Sequence, residues 1–226
     1  MPEAEPLPPL GDPERELALA YVRADARDRM RALWAIDENF GAIVAGTSEP
    51  VIGEMRLLWW RERFEQLGEA VPAEPLLGAV ADALGDDRET AARWGAMAEG
   101  WHALLAEEVD ESDLARFAEQ RGAGLFGLGA DILGAEAAAI VLEGGRGWAL
   151  TDLAYRAGDE PLRQRALELA RPHLDAATAE RWPRRLRPLG MLVQLAKRDA
   201  AAPGSERRQG APGRVLRMMR HRLTGR

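Results

Sequence analysis

Apolar positions along the chain recur at three- and four-residue spacing, which places them on one face of a helix; strands would instead show strict alternation. "PERELALAYVRADARDRMRALWAIDENFGAIVAG", residues 13–46, predicts one long or two closely spaced helices. "TSEPVIGEMRLLWWRERFEQLG" follows, with Thr47 or Ser48 as the N-cap and Pro50 in the first turn. Further helices are predicted near 74–84, 88–107 and 111–143, then at Trp148–Arg156, Glu160–Arg171 and Arg187–Asp199. No hairpin signal joins alternating segments, and no repeat at solenoid spacing occurs. The body is rich in Ala, Leu, Glu and Arg and poor in β-branched residues, so the predicted fold is all-α.

Two segments stand out within that pattern. The helix over 49–67 is apolar almost all round: Ile52, Met55, Trp59, Trp60, Phe64 and Leu67 cover a broad face, Val51 and Leu58 form a second patch, and Glu54, Arg61 and Glu65 share a narrow polar stripe. It is predicted to be largely buried. Arg56 and Arg63 fall inside the broad face, seven residues apart. Either their stems lie along the protein with the charges in water, or they face an internal cavity where they stack on a tryptophan or bind an anionic head group. The 111–143 segment carries Gly122, Gly124, Gly127, Gly129 and Gly134, each costly in a helix interior, which predicts close packing against another helix or a kink.

Composition narrows the picture. At 226 residues, 46% hydrophobic and 30% charged, the chain fits one well-buried domain. Pro and Gly punctuate both ends, so residues 1–12 are read as a flexible segment, 13–201 as the helical domain and 202–226 as a basic flexible tail. There is no cysteine, which excludes disulfides, thiolate metal sites and thiol nucleophiles and fits a reducing compartment. The N-terminus lacks a basic region followed by an apolar one, and no run of about 18 apolar residues occurs, so neither secretion nor membrane spanning is predicted. Net charge is −7, yet the segment from Pro203 onward holds seven arginines against Glu206 alone, leaving −13 on the rest. An acidic body does not suit nucleic acid, whose affinity comes largely from neutralised phosphates.

"RALWAIDENFGAIVAGTSEPVIGEMRLLWWRERFEQL", residues 31–67, resembles the start of the squalene/phytoene synthase family, the head-to-head prenyl-diphosphate synthases. There the segment reads A-L-Y-A-F, a few residues, D-D-x-x-D, then a helix with a W-R pair. The likeness is most specific over these residues and weakens beyond Gly134. "SEPVIGEMRLLWWRE" is similar in particular to a divergent branch that includes assembly factors for respiratory complex I. The resemblance implies an isoprenoid-synthase-type helical bundle. In active members, two aspartate-rich motifs on facing helices bind Mg²⁺, which neutralises the diphosphate leaving groups.

Laid on that pattern, the chain departs from it at the metal sites. D-D-x-x-D falls on "GAIVA", so Gly41, Ala42 and Ala45 occupy the three carboxylate positions. Asp37 and Glu38 lie one turn earlier, but Gly41 and Ala42 follow them at four residues, so neither has a chelating partner on its own helix face. The second motif, G-x-A-x-Q-L-T-N-x-L-R-D, is best matched by "GWALTDLAYRAGDE": Gly147 and Ala149 fit, and Arg156 fits with a one-residue slip. The aspartate after that arginine becomes Ala157, or Gly158 without the slip, while Asp159 and Glu160 read as a turn and the next helix's first acids.

Other chemistry is thin. His102, His173 and His221 lack zinc-site spacing. "GLFGLGADILG" has no preceding strand and reads as helix packing, and "EEVDESD" reads as a solvated loop with Ser112 or Asp113 capping a helix. In "RVLRMMRHRL", Val215, Leu216, Met218, Met219 and Leu223 gather on one helical face and Arg214, Arg217, Arg220 and His221 on the other, with Arg222 intruding. That is a short amphipathic helix whose Arg214, Arg217, Met218, Met219 and Arg220 are candidate contacts with an anionic membrane, against a soluble tail lying free or on its own acidic body.

The sequence therefore carries two readings. In the first, the chain is a squalene/phytoene-synthase-like protein that has lost condensation and binds or assembles: it holds an apolar or isoprenoid-like lipid, with Arg56, Trp59, Trp60 and Arg63 as cavity contacts, or serves a protein partner at a membrane respiratory complex. No catalytic residue, cofactor or metal is assigned, and the location is cytoplasmic or peripheral at the inner face of the membrane. In the second it remains a prenyltransferase using Mg²⁺, with diphosphate binding relocated to arginines such as Arg56 and Arg63.

Overall fold

The computed structural model describes residues 7–67, 74–204 and 206–226, and these form helices and their connections, with no β-strand among them. In chain order the helices are α1 (Pro13–Leu19), α2 (Ala24–Ala45), α3 (Pro50–Glu65), α4 (Pro75–Leu84), α5 (Arg88–His102), α6 (Glu111–Phe117), α7 (Gly124–Ile132), α8 (Ala139–Arg156), α9 (Glu160–Ala179), α10 (Arg187–Ala201) and α11 (Pro212–Thr224). A 3₁₀ turn over Ala103–Leu105 closes α5, and a π-helical turn over Ala118–Ala123 joins α6 to α7. The expectation of a single all-α bundle holds.

The bundle is organised around α8, and glycine is what lets its neighbours close on it. A Cβ on Gly145 would collide with the backbone of Gly122 in the π turn. One on Gly147 would stand 2.6 Å from Leu174 of α9, and one on Gly144 would stand 2.8 Å from Val193 of α10. Three elements thus pack at backbone range on successive positions of one helix, and α8 is buried on nearly every side. The glycine-rich segment accordingly shows both close packing and an irregular turn, since α6, the π turn and α7 are consecutive. The predicted helix over 111–143 ends at Ile132, where Gly134 adopts φ +65°, and a new helix begins at Ala139.

Helix α3 departs from expectation. Its buried positions are Gly53, Leu57, Trp60 and Phe64, continued by Leu67, a stripe at four- and three-residue spacing. Ile52, Met55 and Trp59, assigned to the core by their breadth, are exposed with Val51 and Leu58. The choice follows from two notches. A Cβ on Gly53 would meet Leu105 at 3.0 Å, and one on Gly95 of α5 would meet Phe64 at 2.9 Å, so the stripe containing Gly53 approaches closest and is the one buried. Of the adjacent tryptophans, Trp60 points in and Trp59 out.

The ends are also tied down more than composition predicts. Residues 1–6 lie outside the described part, but Leu10 is buried and the backbone N–H groups of Gly11 and Asp12 donate to the Glu38 carboxylate at 2.8 and 3.3 Å. The segment after residue 201 is no free tail: α11 lies against α10, with Met218 fully buried and Arg214 only 3% exposed. Arg214 forms ion pairs with Glu14 of α1 and Asp199 of α10, clasping the two ends of the chain together. Two caps are shifted as well. Glu49 occupies the N-cap of α3, where neither Thr47 nor Ser48 does, and Asp110 caps α6 in a reciprocal capping box with Asp113.

Candidate functional site

The cavity residues anticipated from sequence meet at the surface, outside the bundle. Arg56, Trp59 and Trp60 line an open groove of about 530 Å³ between α2 and α3, completed by Asn39, Ile43, Ile52 and Met55. Trp60 forms the inner wall, held edge-on by Phe40 at 6.0 Å, and Trp59 stands perpendicular to it at 5.4 Å. Arg63 places its guanidinium 5.7 Å from the Trp59 ring centroid, a stacking arrangement that keeps the charge beside the groove. The Asn39 amide nitrogen is buried with no hydrogen-bond partner.

Inside the bundle, a second constellation forms of which the sequence singled out only Asp37 and Arg156. Asp37 of α2 and Asp152 of α8 are fully buried, and Arg121 of the π turn joins them: its Nε and Nη2 donate to Asp37 at 2.9 and 3.1 Å, and Nη2 also donates to Asp152 at 2.9 Å. Arg15 adds a 2.5 Å bond to Asp37, Trp101 donates its indole N–H at 3.0 Å, and Arg156 and Arg207 complete Asp152 at 3.0 and 3.1 Å. The Arg121 guanidinium lies 4.2 Å from the Trp101 ring and 4.6 Å from that of Trp148. Arg15, Asp37, Glu38, Trp101, Arg121 and Arg156 line a polar cavity of about 280 Å³.

The electrostatics follow from this packing. Burial alone would raise the pKa of Asp37, but the charges of Arg121 and Arg15 outweigh it and hold the carboxyl at about 2. Asp152 behaves likewise: burial opposes ionisation, and Arg121, Arg156, Arg207 and Arg15 drive it well below the usual carboxylate range. Both groups are therefore carboxylates at neutral pH. Every oxygen of each already accepts from a guanidinium, so the pair does not fit the Mg²⁺ that the family resemblance implies. No group of three His, Asp or Glu arranged to hold a metal occurs among the described residues.

The positions laid on D-D-x-x-D do not share one environment. Gly41 borders the polar cavity and is packed by Trp101, whose ring would stand 2.9 Å from a Cβ there, whereas Ala42 and Ala45 are exposed. The inward carboxylate is Asp37, whose partners come from other elements. Arg121 and Asp152 had a signal in the sequence: each is a charge set in an apolar or glycine-rich run, "AEQRGAGLFG" and "WALTDLAY", where burial requires pairing.

The tail residues divide. Arg214 and Met218 are buried and cannot touch a membrane in this arrangement, because they form the inner face of α11 with His221. Arg217 and Arg220 are exposed beside Leu216 and Leu223, and Met219 is half-buried with its sulfur accepting from the Tyr21 hydroxyl at 3.1 Å. No described helix is long and apolar enough to cross a membrane. No protein-family model matches the chain, and neither a curated protein nor a solved structure matches it.

Proposed function

We propose that the chain is a squalene/phytoene-synthase-like protein that has lost prenyl-diphosphate condensation and acts as a binding or assembly protein. The observation that carries this reading is the arginine saturation of Asp37 and Asp152. Facing carboxylates on two helices are the donor set a diphosphate-bound metal needs; here guanidinium groups neutralise them and hold them in a structural network. What the chain offers to a partner is its surface. Five large apolar side chains of α3, Val51, Ile52, Met55, Leu58 and Trp59, are exposed together, as sites of interaction with lipid or protein commonly are. At the opposite end of the sequence Leu216 and Leu223 stand among Arg217 and Arg220, which supports a peripheral role at an anionic membrane, including service to a membrane respiratory complex.

The test is incubation of the purified chain with Mg²⁺ and farnesyl or geranylgeranyl diphosphate. The expected result is no condensed product and no Mg²⁺-dependent rise in Tm with a non-hydrolysable diphosphate analogue. A condensed product, or a clear metal-dependent rise, would sink the reading.

A further inference from the structure

The α2–α3 groove carries a ligand chemistry of its own. Its walls are apolar, from Ile43, Met55, Trp59 and Trp60, and its volume of about 530 Å³ suits a small ligand. Its polar side chains are one amide, Asn39, and two cations at its border, Arg56 and Arg63. Asn39 presents a buried amide nitrogen that no described residue satisfies, Arg56 stands at the border, and Arg63 rests over Trp59. No carboxylate lines it, in a chain whose net charge is −7. The acids of α3 that have partners lie on its other flank, Glu54 near His102 of α5 and Glu65 near Arg61. An apolar trough bordered by cations, free of carboxylates and holding an unmet amide N–H, is complementary to a molecule with an aliphatic body and an anionic acceptor at one end.

We propose that this groove binds a single-chain amphiphile with an anionic head, of the fatty-acid type, the chain lying along Ile43, Met55 and the two tryptophans and the head accepting from Asn39 Nδ2 and Arg56. The proposal deepens the binding-protein reading above and rests on it only for the claim that binding is the protein's role. Arg56 is exposed, so its charge costs little to hold ready, and it would gain a charge-assisted hydrogen bond from an anionic head group.

The experiment is a titration of the full chain with sodium laurate, read by tryptophan emission, beside dodecanol as the uncharged molecule of equal chain length. Saturable binding of laurate is expected, with dodecanol weaker by about tenfold, the loss of one charge-assisted hydrogen bond. Arg56→Ala should weaken laurate by about the same factor and leave dodecanol unchanged, and Trp59→Phe should remove most of the emission change while circular dichroism shows both variants folded. Equal affinity for laurate and dodecanol, absence of saturation, or laurate binding indifferent to Arg56→Ala would each overturn the proposal. So would sedimentation with phosphatidylglycerol vesicles in the absence of laurate binding, since the occupant would then be a membrane. Formation of a prenyl product from diphosphates would sink the non-catalytic reading and leave this result standing.

Discussion

Arg121→Met tests the buried network most directly. Methionine keeps an unbranched apolar stem between Trp101 and Trp148 while removing the charge and the three bonds to Asp37 and Asp152. Truncating one partner of a buried ion pair typically costs about 3–5 kcal/mol because the other charge is left uncompensated. Here Asp37 retains Arg15 and Trp101, and Asp152 retains Arg156 and Arg207, so the low end applies, about 3 kcal/mol. For a domain of this size that is a fall in Tm of about 6–12 °C by differential scanning calorimetry at pH 7. The loss should depend on pH. In the native protein the depressed pKa of Asp37 contributes stability that is present above the ordinary carboxylate value of 3.8 and fades as pH falls toward about 2. Without Arg121 the carboxyl is protonated more readily, so the gap between variant and native protein should narrow as pH falls from about 4 toward about 2. Adding Asp37→Asn to Arg121→Met should recover part of the loss, as coupled residues do. A Tm change under about 2 °C, or a deficit that ignores both pH and Asp37→Asn, would refute the claim that these arginines serve chiefly to neutralise buried carboxylates.

Other outcomes follow from single contacts. His221 is fully buried against Trp182 and beside Arg187, and burial, then the Arg187 charge, depress its pKa to about 4; stability should therefore rise with pH between about 4 and 6.5, by an order of 3 kcal/mol, and His221→Leu should flatten that rise in urea midpoints. Gly122→Ala would drive a Cβ to 2.5 Å from the Gly145 carbonyl oxygen and should cost about 3 kcal/mol, whereas Gly78→Ala in α4, with open space around it, should gain up to about 1 kcal/mol; thermal melts of the pair distinguish a packing glycine from a free one. Arg214→Ala leaves Glu14 and Asp199 buried without their shared cation and should release α11, seen as faster tryptic cleavage after residue 201 with α8 and α9 still protected.

The helical period, the proline starts of α3, α4, α9 and α11 and the lack of strand patterning were sufficient for the fold class, because these are local properties of the backbone. Orientation was not legible. On α3 two apolar stripes compete, and the one with fewer large side chains wins because Gly53 and Gly95 admit Leu105 and Phe64 at close range, a complementarity between segments about thirty to fifty residues apart. The same holds at the C-terminus: by period Arg214 belongs to a polar face, yet it is buried because Glu14 and Asp199 await it from α1 and α10.

What the sequence by itself determined is the all-α class, most of the helix starts, the absence of cysteine chemistry and the absence of a carboxylate at Gly41, Ala42 and Ala45, since composition and spacing are properties of one segment at a time. Only the tertiary structure decided that Trp59 faces solvent while Trp60 is buried, that Asp37 and Asp152 share Arg121, and that the basic tail closes on the first helix. The physical reason is that burial of a charge or of a stripe is settled by what another segment presents to it, and no single segment encodes its partner.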